Sequence, residues 1–286
     1  MTDIQSPSQP SDHRPNWATA SICVVLPTYN EADNLPAMVA ALLAQPLERL
    51  QIEVVDDESP DGTGQVADRL AKHHPGRIHV LHRTGKRGLG RAYVDGFAVA
   101  LASGAEYIIQ MDADFSHDPN DIPRLLEAVQ NADVAVGSRY VEGGVLDQEW
   151  SWWRRFLSWF ANTVWTQTVL DLTVRDTTAG FKCWRRATLE GIGLERVQSN
   201  GYVFQVEMSY MTEHLGYKVV EVPIFFEDRR VGHSKMTNGV KFEAAWRTLE
   251  IRWRNRKLQR VSSSSSPMLA DGLAPKTPGT ETTIWS

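Results

Sequence analysis

The sequence predicts an α/β domain with a mostly parallel central sheet flanked by helices. Three observations predict it. Short apolar runs alternate with stretches of helical periodicity, acidic or Gly-containing clusters follow the runs, and 42% of the 286 residues are apolar, enough for one large core. Strands separated by helices of roughly 10–15 residues need right-handed crossovers, which leave neighbouring strands parallel.

Taken in order, Ser21–Leu26 is the first predicted strand, ended by Pro27, and helical pattern follows from Asn34 to Ala44 with Asn30 or Asp33 as its cap. Gln51–Val55 is the second strand and Gly64–His73 its helix. Arg77–Leu81 is the third, followed by helix over Ala92–Ser103. Tyr107–Met111 is the fourth, with helix over Asp121–Gln130, and Ala132–Val136 is the fifth. Residues 1–20 are polar and Pro/Ser-rich, with no apolar run of the kind a secretory signal needs. Residues 258–286 carry five consecutive Ser, then Pro and Thr. Both are expected to be disordered, because such composition buries too little apolar surface to offset ordering entropy. The domain is therefore placed at 21–257.

Charge and cysteine usage narrow the class. Thirty-five acidic against 30 basic residues give a net charge of −5, which argues against a chain that coats nucleic acid. Cys23 and Cys183 lie in separate apolar runs, so a disulfide framework is not expected and a reducing compartment fits. The longest uncharged apolar-leaning run, Phe156–Leu170, has 15 residues, short of the about 20 that a membrane span needs.

In parallel sheets ligands bind beyond the carboxyl ends of the strands. The first strand leads into Pro27-Thr-Tyr-Asn-Glu31, which alone reads as a turn into a helix. After the second come Asp56, Asp57, Glu58 and Asp61, four acids in six residues, more than the Asp61-Gly62 turn requires. A carboxylate here can accept from ribose hydroxyls or a base edge. After the fourth comes Asp112-Ala113-Asp114. Residues i and i+2 of extended backbone point the same way, so both carboxylates can face one hard cation such as Mg²⁺ or Mn²⁺. After the fifth comes Gly137-Ser-Arg139-Tyr140, whose arginine can pair with phosphate. Gly85–Gly90 matches neither nucleotide-loop spacing and reads as a turn.

These segments, with Asp176-Thr-Thr-Ala-Gly-Phe181, Gly201-Tyr-x-Phe-Gln-x-Glu207 and Arg229-x-x-Gly-x-Ser-Lys235, come in the order found in the dolichol-phosphate mannosyltransferases. These polyprenol monophosphomannose synthases are family-two glycosyltransferases of the GT-A, Rossmann-like fold, and the resemblance covers about residues 21–250. It implies that Pro27, Tyr29, Glu31, Val55 and Asp57 hold GDP, and that Asp112, Ala113 and Asp114 hold a divalent ion, Mg²⁺ or Mn²⁺, with the diphosphate. It further implies that Arg139, Arg229 and Lys235 bind donor or acceptor phosphates, with Asp112, Asp114, Arg229 and Lys235 the catalytic set. Ser116 stands where some relatives carry a Gln metal contact. The implied reaction moves mannose from GDP-mannose to a polyprenyl phosphate with inversion. Alternatives are a family-two transferase using UDP-glucose on a lipid phosphate, or a non-catalytic membrane-associated scaffold.

Ten Trp are present, five of them (Trp150, Trp152, Trp153, Trp159, Trp165) within 16 residues. Trp153, Phe156, Phe160 and Val164 fall at helical spacing beside Arg154 and Arg155. Phe242, Trp246, Leu249 and Trp253 form a second stripe among Arg247, Arg252, Arg254, Arg256, Lys257 and Arg260. Trp at the bilayer interface and Arg/Lys near anionic headgroups predict interfacial amphipathic helices. The expectation is thus a peripheral protein on the cytoplasmic face of the membrane, with no nucleic-acid partner and with any membrane-protein partner unidentified.

Overall fold

The computed structural model describes residues 15–85, 88–146, 159–226, 238–256, 258 and 260. Five strands carry the expected alternation: β1 (Ser21–Thr28), β2 (Arg49–Asp56), β3 (Ile78–His82), β4 (Tyr107–Gln110) and β5 (Val134–Ser138). Between them lie α1 (Leu35–Leu43), α2 (Thr63–His73), α3 (Leu89–Ala102) and α4 (Ile122–Ala128). The second half adds β6 (Val145–Leu146), a π-helical turn at Phe160–Trp165 leading into α5 (Thr166–Leu170), β7 (Lys182–Arg185), α6 (Arg186–Ile192), α7 (Gly201–His214), β8 (Val219–Pro223), β9 (Phe225–Phe226) and α8 (Asn238–Arg254).

The seven-stranded sheet runs β3-β2-β1-β4-β7-β5-β8, and β6 pairs with β9 in a two-stranded ribbon. All main-sheet pairings are parallel except those of β7, which lies antiparallel between β4 and β5. Strand order reverses between β1 and β4, so their carboxyl ends open the crevice in which this architecture binds ligands. Alternation along each strand divides the core. Val24 and Leu26 pack with Leu35, Met38 and Leu42 of α1 and Leu125 of α4. Val25 and Val55 pack with Tyr93 and Phe97 of α3, Trp184 of β7, Phe204 and Met208 of α7, and Ile251 of α8. The chain thus buries both sheet faces, as parallel sheets require.

Several boundaries move, for local reasons. Pro27 does not end β1: it pairs in register with Val55, and Thr28 with Asp56. The β1–β4 ladder has already stopped at Val25↔Gln110, so the missing proline N–H breaks no bond on that side. β5 extends to Ser138 because Gly137 and Ser138 pair with Val222 and Pro223. Asn34, not Asn30 or Asp33, occupies the N-cap of α1, and its side chain donates to Glu31 Oε2 at 2.8 Å. The antiparallel β7 was not expected; Lys-Cys-Trp-Arg has no strand-like alternation of apolar and polar residues. Trp150, Trp152, Trp153, Arg154, Arg155 and Phe156 of the first aromatic stripe, Arg229 and Lys235, and the terminal segments 1–14 and 261–286 lie outside the described residues. The arm expected over 1–20 is not disordered throughout: Asn16–Thr19 form a 3-10 helix, and Trp17 is buried in the core with its Nε1–H donating to Glu127 at 2.9 Å.

Candidate active site

Three loops follow the adjacent strands β2, β1 and β4, and each contains one non-glycine residue with left-handed backbone: Glu58 (φ 54°), Asn30 (φ 62°) and Phe115 (φ 62°). Such conformations cost energy that the surroundings must offset, and they cluster where loops are shaped for a ligand.

The β1 and β2 loops are knitted together. Asp56 accepts from Thr28 Oγ1 (3.2 Å), Ser59 N–H (3.2 Å) and Ser59 Oγ (2.5 Å), so this acid builds the turn. Asp61 accepts from Ala32 N–H at 3.1 Å and from the Thr63 hydroxyl at 2.6 Å. Burial acts to raise the Asp61 carboxyl, but these hydrogen bonds outweigh it and hold it below the usual range. Asp57 is buried, with Oδ1 on the Arg83 guanidinium and Oδ2 accepting from Gly88 N–H at 3.0 Å. Arg83 also reaches Asp95 at 2.9 Å. Tyr29 and Glu31 stand partly exposed above buried Val55. Pro27, Tyr29, Glu31, Val55 and Asp57 therefore lie at the paired carboxyl ends of β1 and β2.

Beyond β4, Asp112 is partly exposed, while Ala113 and Asp114 are buried. Tyr93, fully buried on α3, donates its hydroxyl to Asp112 Oδ1 at 2.6 Å. Burial first, and the Asp112 charge second, push the Tyr93 phenol well above its ordinary value, so it stays a donor. Asp114 Oδ1 accepts from Ser116 N–H (3.1 Å) and Ser116 Oγ (2.6 Å). The residue standing where some relatives have Gln thus props the second aspartate. His117 is buried and neutral: burial lowers its pKa most, against opposing pulls from Asp112 and Asp114. Its Nδ1 accepts the Asp112 N–H at 3.1 Å and its ring stacks on Phe181 at 5.1 Å. Gly180 leaves the room for this: a Cβ there would lie 3.0 Å from His117 Cε1 and 3.4 Å from Asp112 Oδ2.

The carboxylate pair supplies only hard oxygen donors. No group of three or more His, Cys, Asp or Glu among the described residues forms a closed metal cage. Two carboxylates that leave the remaining positions to diphosphate and water fit Mg²⁺ or Mn²⁺, and the absence of nitrogen or sulfur donors from the pair does not suit zinc.

Past β5, Arg139 presents its fork to Asp176 rather than outward: Nε and Nη2 reach the two carboxylate oxygens at 2.7 Å each, and Nη2 also reaches Thr178 Oγ1 at 2.8 Å. The buried Asp176 requires this counter-charge. The Arg139 guanidinium also lies 5.0 Å from the Phe226 ring centre. Tyr93 and His117 were missed by sequence reasoning. Tyr93 shows only as a core position of α3, at i+4 from Leu89 and i−4 from Phe97, and its reach to Asp112 depends on where that helix lies.

A doubly wound sheet with its acidic pair at the switch point defines the GT-A class of glycosyltransferase fold. The model described as glycosyl transferase family 2 matches residues 23–192, and the chain belongs to that family, within the branch of polyprenol-phosphate mannosyltransferases. A polyprenol monophosphomannose synthase of Mycolicibacterium smegmatis is 45% identical over 242 residues, covering 84% of this chain and 89% of its own. An undecaprenyl-phosphate mannosyltransferase of Micrococcus luteus is 45% identical over 223 residues, covering 78% and 90%. Among solved structures, a mannosyltransferase of Pyrobaculum calidifontis in complex with GDP-mannose and Mn²⁺ superposes with TM-score 0.56 at 17% identity, over 89% of this chain and 70% of that one, a likeness of fold.

Proposed function

We propose that this protein transfers mannose from GDP-mannose to the phosphate of a polyprenol, with inversion, at the crevice between β1 and β4. The observation that carries the proposal is the Asp112–Asp114 pair at the switch point, held by Tyr93 and Ser116, in a chain 45% identical to a polyprenol monophosphomannose synthase. The nucleophile is a phosphate monoester, whose second pKa near 6 leaves it anionic at neutral pH, so the site needs no general base. Its task is to bring two anions together. Pro27, Tyr29, Glu31, Val55 and Asp57 receive the nucleoside of the donor. Asp112 and Asp114 hold the divalent ion, Mg²⁺ or Mn²⁺, which when bound neutralises the leaving diphosphate. Arg229 and Lys235 supply the positive charge that steers and holds phosphate groups, whereas Arg139, expected to join them, has its fork committed to the buried Asp176 carboxylate.

The acceptor is insoluble in water, so the protein meets a bilayer. Supporting that reading, Trp246, Leu249 and Trp253 line one face of α8 with exposures of 70%, 43% and 67%, and Trp159 and Phe160 are exposed at 43% and 41%. Trp165 instead turns to α8, donating Nε1–H to Thr248 at 3.0 Å. No helix among the described residues is long and apolar enough to cross a membrane. The proposed attachment is therefore peripheral, on the cytoplasmic face, where two free buried cysteines are at home.

The test is transfer of labelled mannose to polyprenyl phosphate with Mg²⁺ or Mn²⁺, run against UDP-glucose as donor and against chelator. Wild type should use GDP-mannose and lose activity with chelator, and Asp114→Ala should be inactive with an unchanged circular dichroism spectrum. Preference for UDP-glucose, or normal turnover of Asp114→Ala, overturns the reading.

A further inference from the structure

The Gly201-Tyr-x-Phe-Gln-x-Glu207 segment has no part in the chemistry above, yet its hydrogen bonds run toward the donor side. Glu207, fully buried on α7, accepts the backbone N–H groups of Gln198 (3.0 Å) and Ser199 (2.6 Å). A carboxylate clamped on two consecutive amides fixes the loop that enters α7. The next residue, Asn200, uses one oxygen twice: Oδ1 accepts Gly201 N–H at 2.8 Å, capping α7, and Gly90 N–H at 2.9 Å, at the start of α3. The loop before α3 also presses on Asn200. A Cβ on Gly88 would lie 2.6 Å from Asn200 Nδ2, and Gly88 has φ +89°, so only glycine fits there. Gly88 N–H in turn donates to Asp57 Oδ2.

We infer that Asn200, seated by Glu207, is a positioning residue for the nucleotide donor: it holds the Gly88–Gly90 backbone so that the Gly88 amide stays on Asp57. The inference rests on the reading of Asp57 as part of the donor pocket. A carboxylate that has lost this donor is held by Arg83 on one oxygen only, so its other oxygen is less well fixed to accept from a ribose hydroxyl or a base edge, and the loss falls on donor binding and not on the acceptor. Losing one charge-assisted hydrogen bond to Asp57 corresponds to about a tenfold change in affinity.

The experiment is GDP titration by calorimetry with Mg²⁺ present, together with steady-state kinetics, well below the melting temperature. Asn200→Ala should raise the GDP Kd and the GDP-mannose KM about tenfold, leaving kcat within threefold and the polyprenyl phosphate KM within twofold. Asn200→Asp keeps the accepting oxygen for both amides and should bind GDP within threefold of wild type. Glu207→Gln leaves Asn200 and the α7 cap in place but puts an NH₂ donor either against the 198 and 199 amides, which share Oε2, or against Arg254, which faces Oε1. It should raise the GDP Kd at least threefold. GDP affinity of Asn200→Ala within twofold of wild type, or an Asn200→Asp variant as impaired as the alanine, overturns the inference. Asp57→Ala separates the two levels. If it binds GDP as wild type does, the donor-pocket reading itself fails; if it loses GDP while Asn200→Ala does not, only the positioning role fails.

Discussion

Tyr93 gives Asp112 a fixed direction. The phenol stacks between Phe97 and Phe204, with ring centres 5.8 and 5.7 Å away, so its hydroxyl cannot follow the carboxylate if that moves. Groups that orient a metal-binding carboxylate are worth about 10- to 100-fold in metal affinity. Tyr93→Phe should weaken Mn²⁺ binding by that factor, read by direct titration of the metal in the presence of GDP, with little change in melting temperature. Unchanged Mn²⁺ affinity would mean that the hydrogen bond is only core structure. Lys182 is a different case. It is fully buried, its ammonium reaches Gln205 Oε1 at 3.0 Å, and burial pulls its pKa from 10.5 down to about 7. With a folded value below the unfolded one, the native state releases this proton first, so stability rises with pH between about 7 and 10.5. Lys182→Met should therefore change the melting temperature most favourably at or below pH 7, and the difference from wild type should shrink toward pH 10; a difference constant with pH refutes the shift. At this scale the acidic pair was legible from its spacing together with its place at the end of a predicted strand. Tyr93, His117 and Asn200 were not, because each acts across 5 to 110 positions of chain and no local pattern records the partner.

Gly96 lets helix α3 pack its backbone directly on Val25 and Val55 of the sheet. A Cβ at that position would stand 2.4 Å from Val25 Cγ1 and 2.9 Å from Val55 Cγ2. Closeness here brings Tyr93 under Asp112 one turn away and sets Gly88 and Gly90 beside the β2 end. Alanine is the better helix former by about 1 kcal/mol, but forcing a methyl into a packed core costs about 1–3 kcal/mol. Gly96→Ala should thus lower the melting temperature and also weaken metal binding; a stabilised variant would show that α3 yields without cost. The alternation of β1 to β5 with α1 to α4 was readable from hydrophobic period because each unit is local. The antiparallel β7 was not, since its four residues are specified by the slot between β4 and β5 rather than by their own pattern. For α8 the apolar stripe was visible, while its inward face, tied by Thr248 to Trp165 and by Arg254 to Glu207, emerges only from the packing.

For the molecule as a whole, the described aromatic surface has one expected job. Replacing Trp246 and Trp253 together by Ser should reduce binding to anionic vesicles at least tenfold in a sedimentation assay while leaving GDP affinity in solution unchanged. Equal sedimentation of variant and wild type would assign the lipid contact elsewhere. The same helix has a second attachment. Arg254, on its last turn, pairs with the carboxylate that clamps the loop before α7. The exposed aromatic face of α8 and the loop beside Asp57 are therefore joined by a chain of contacts, from Arg254 through Glu207, the 198–199 amides and Asn200 to the Gly88–Gly90 backbone. Thermodynamic reciprocity then constrains the pair: by whatever factor attachment to lipid alters the grip on nucleotide, nucleotide alters the grip on lipid by the same factor. Wherever that factor differs from one, a protein loaded with its sugar donor and one stripped of it partition differently between water and membrane, and occupancy of the proposed pocket is readable as residence time at the surface.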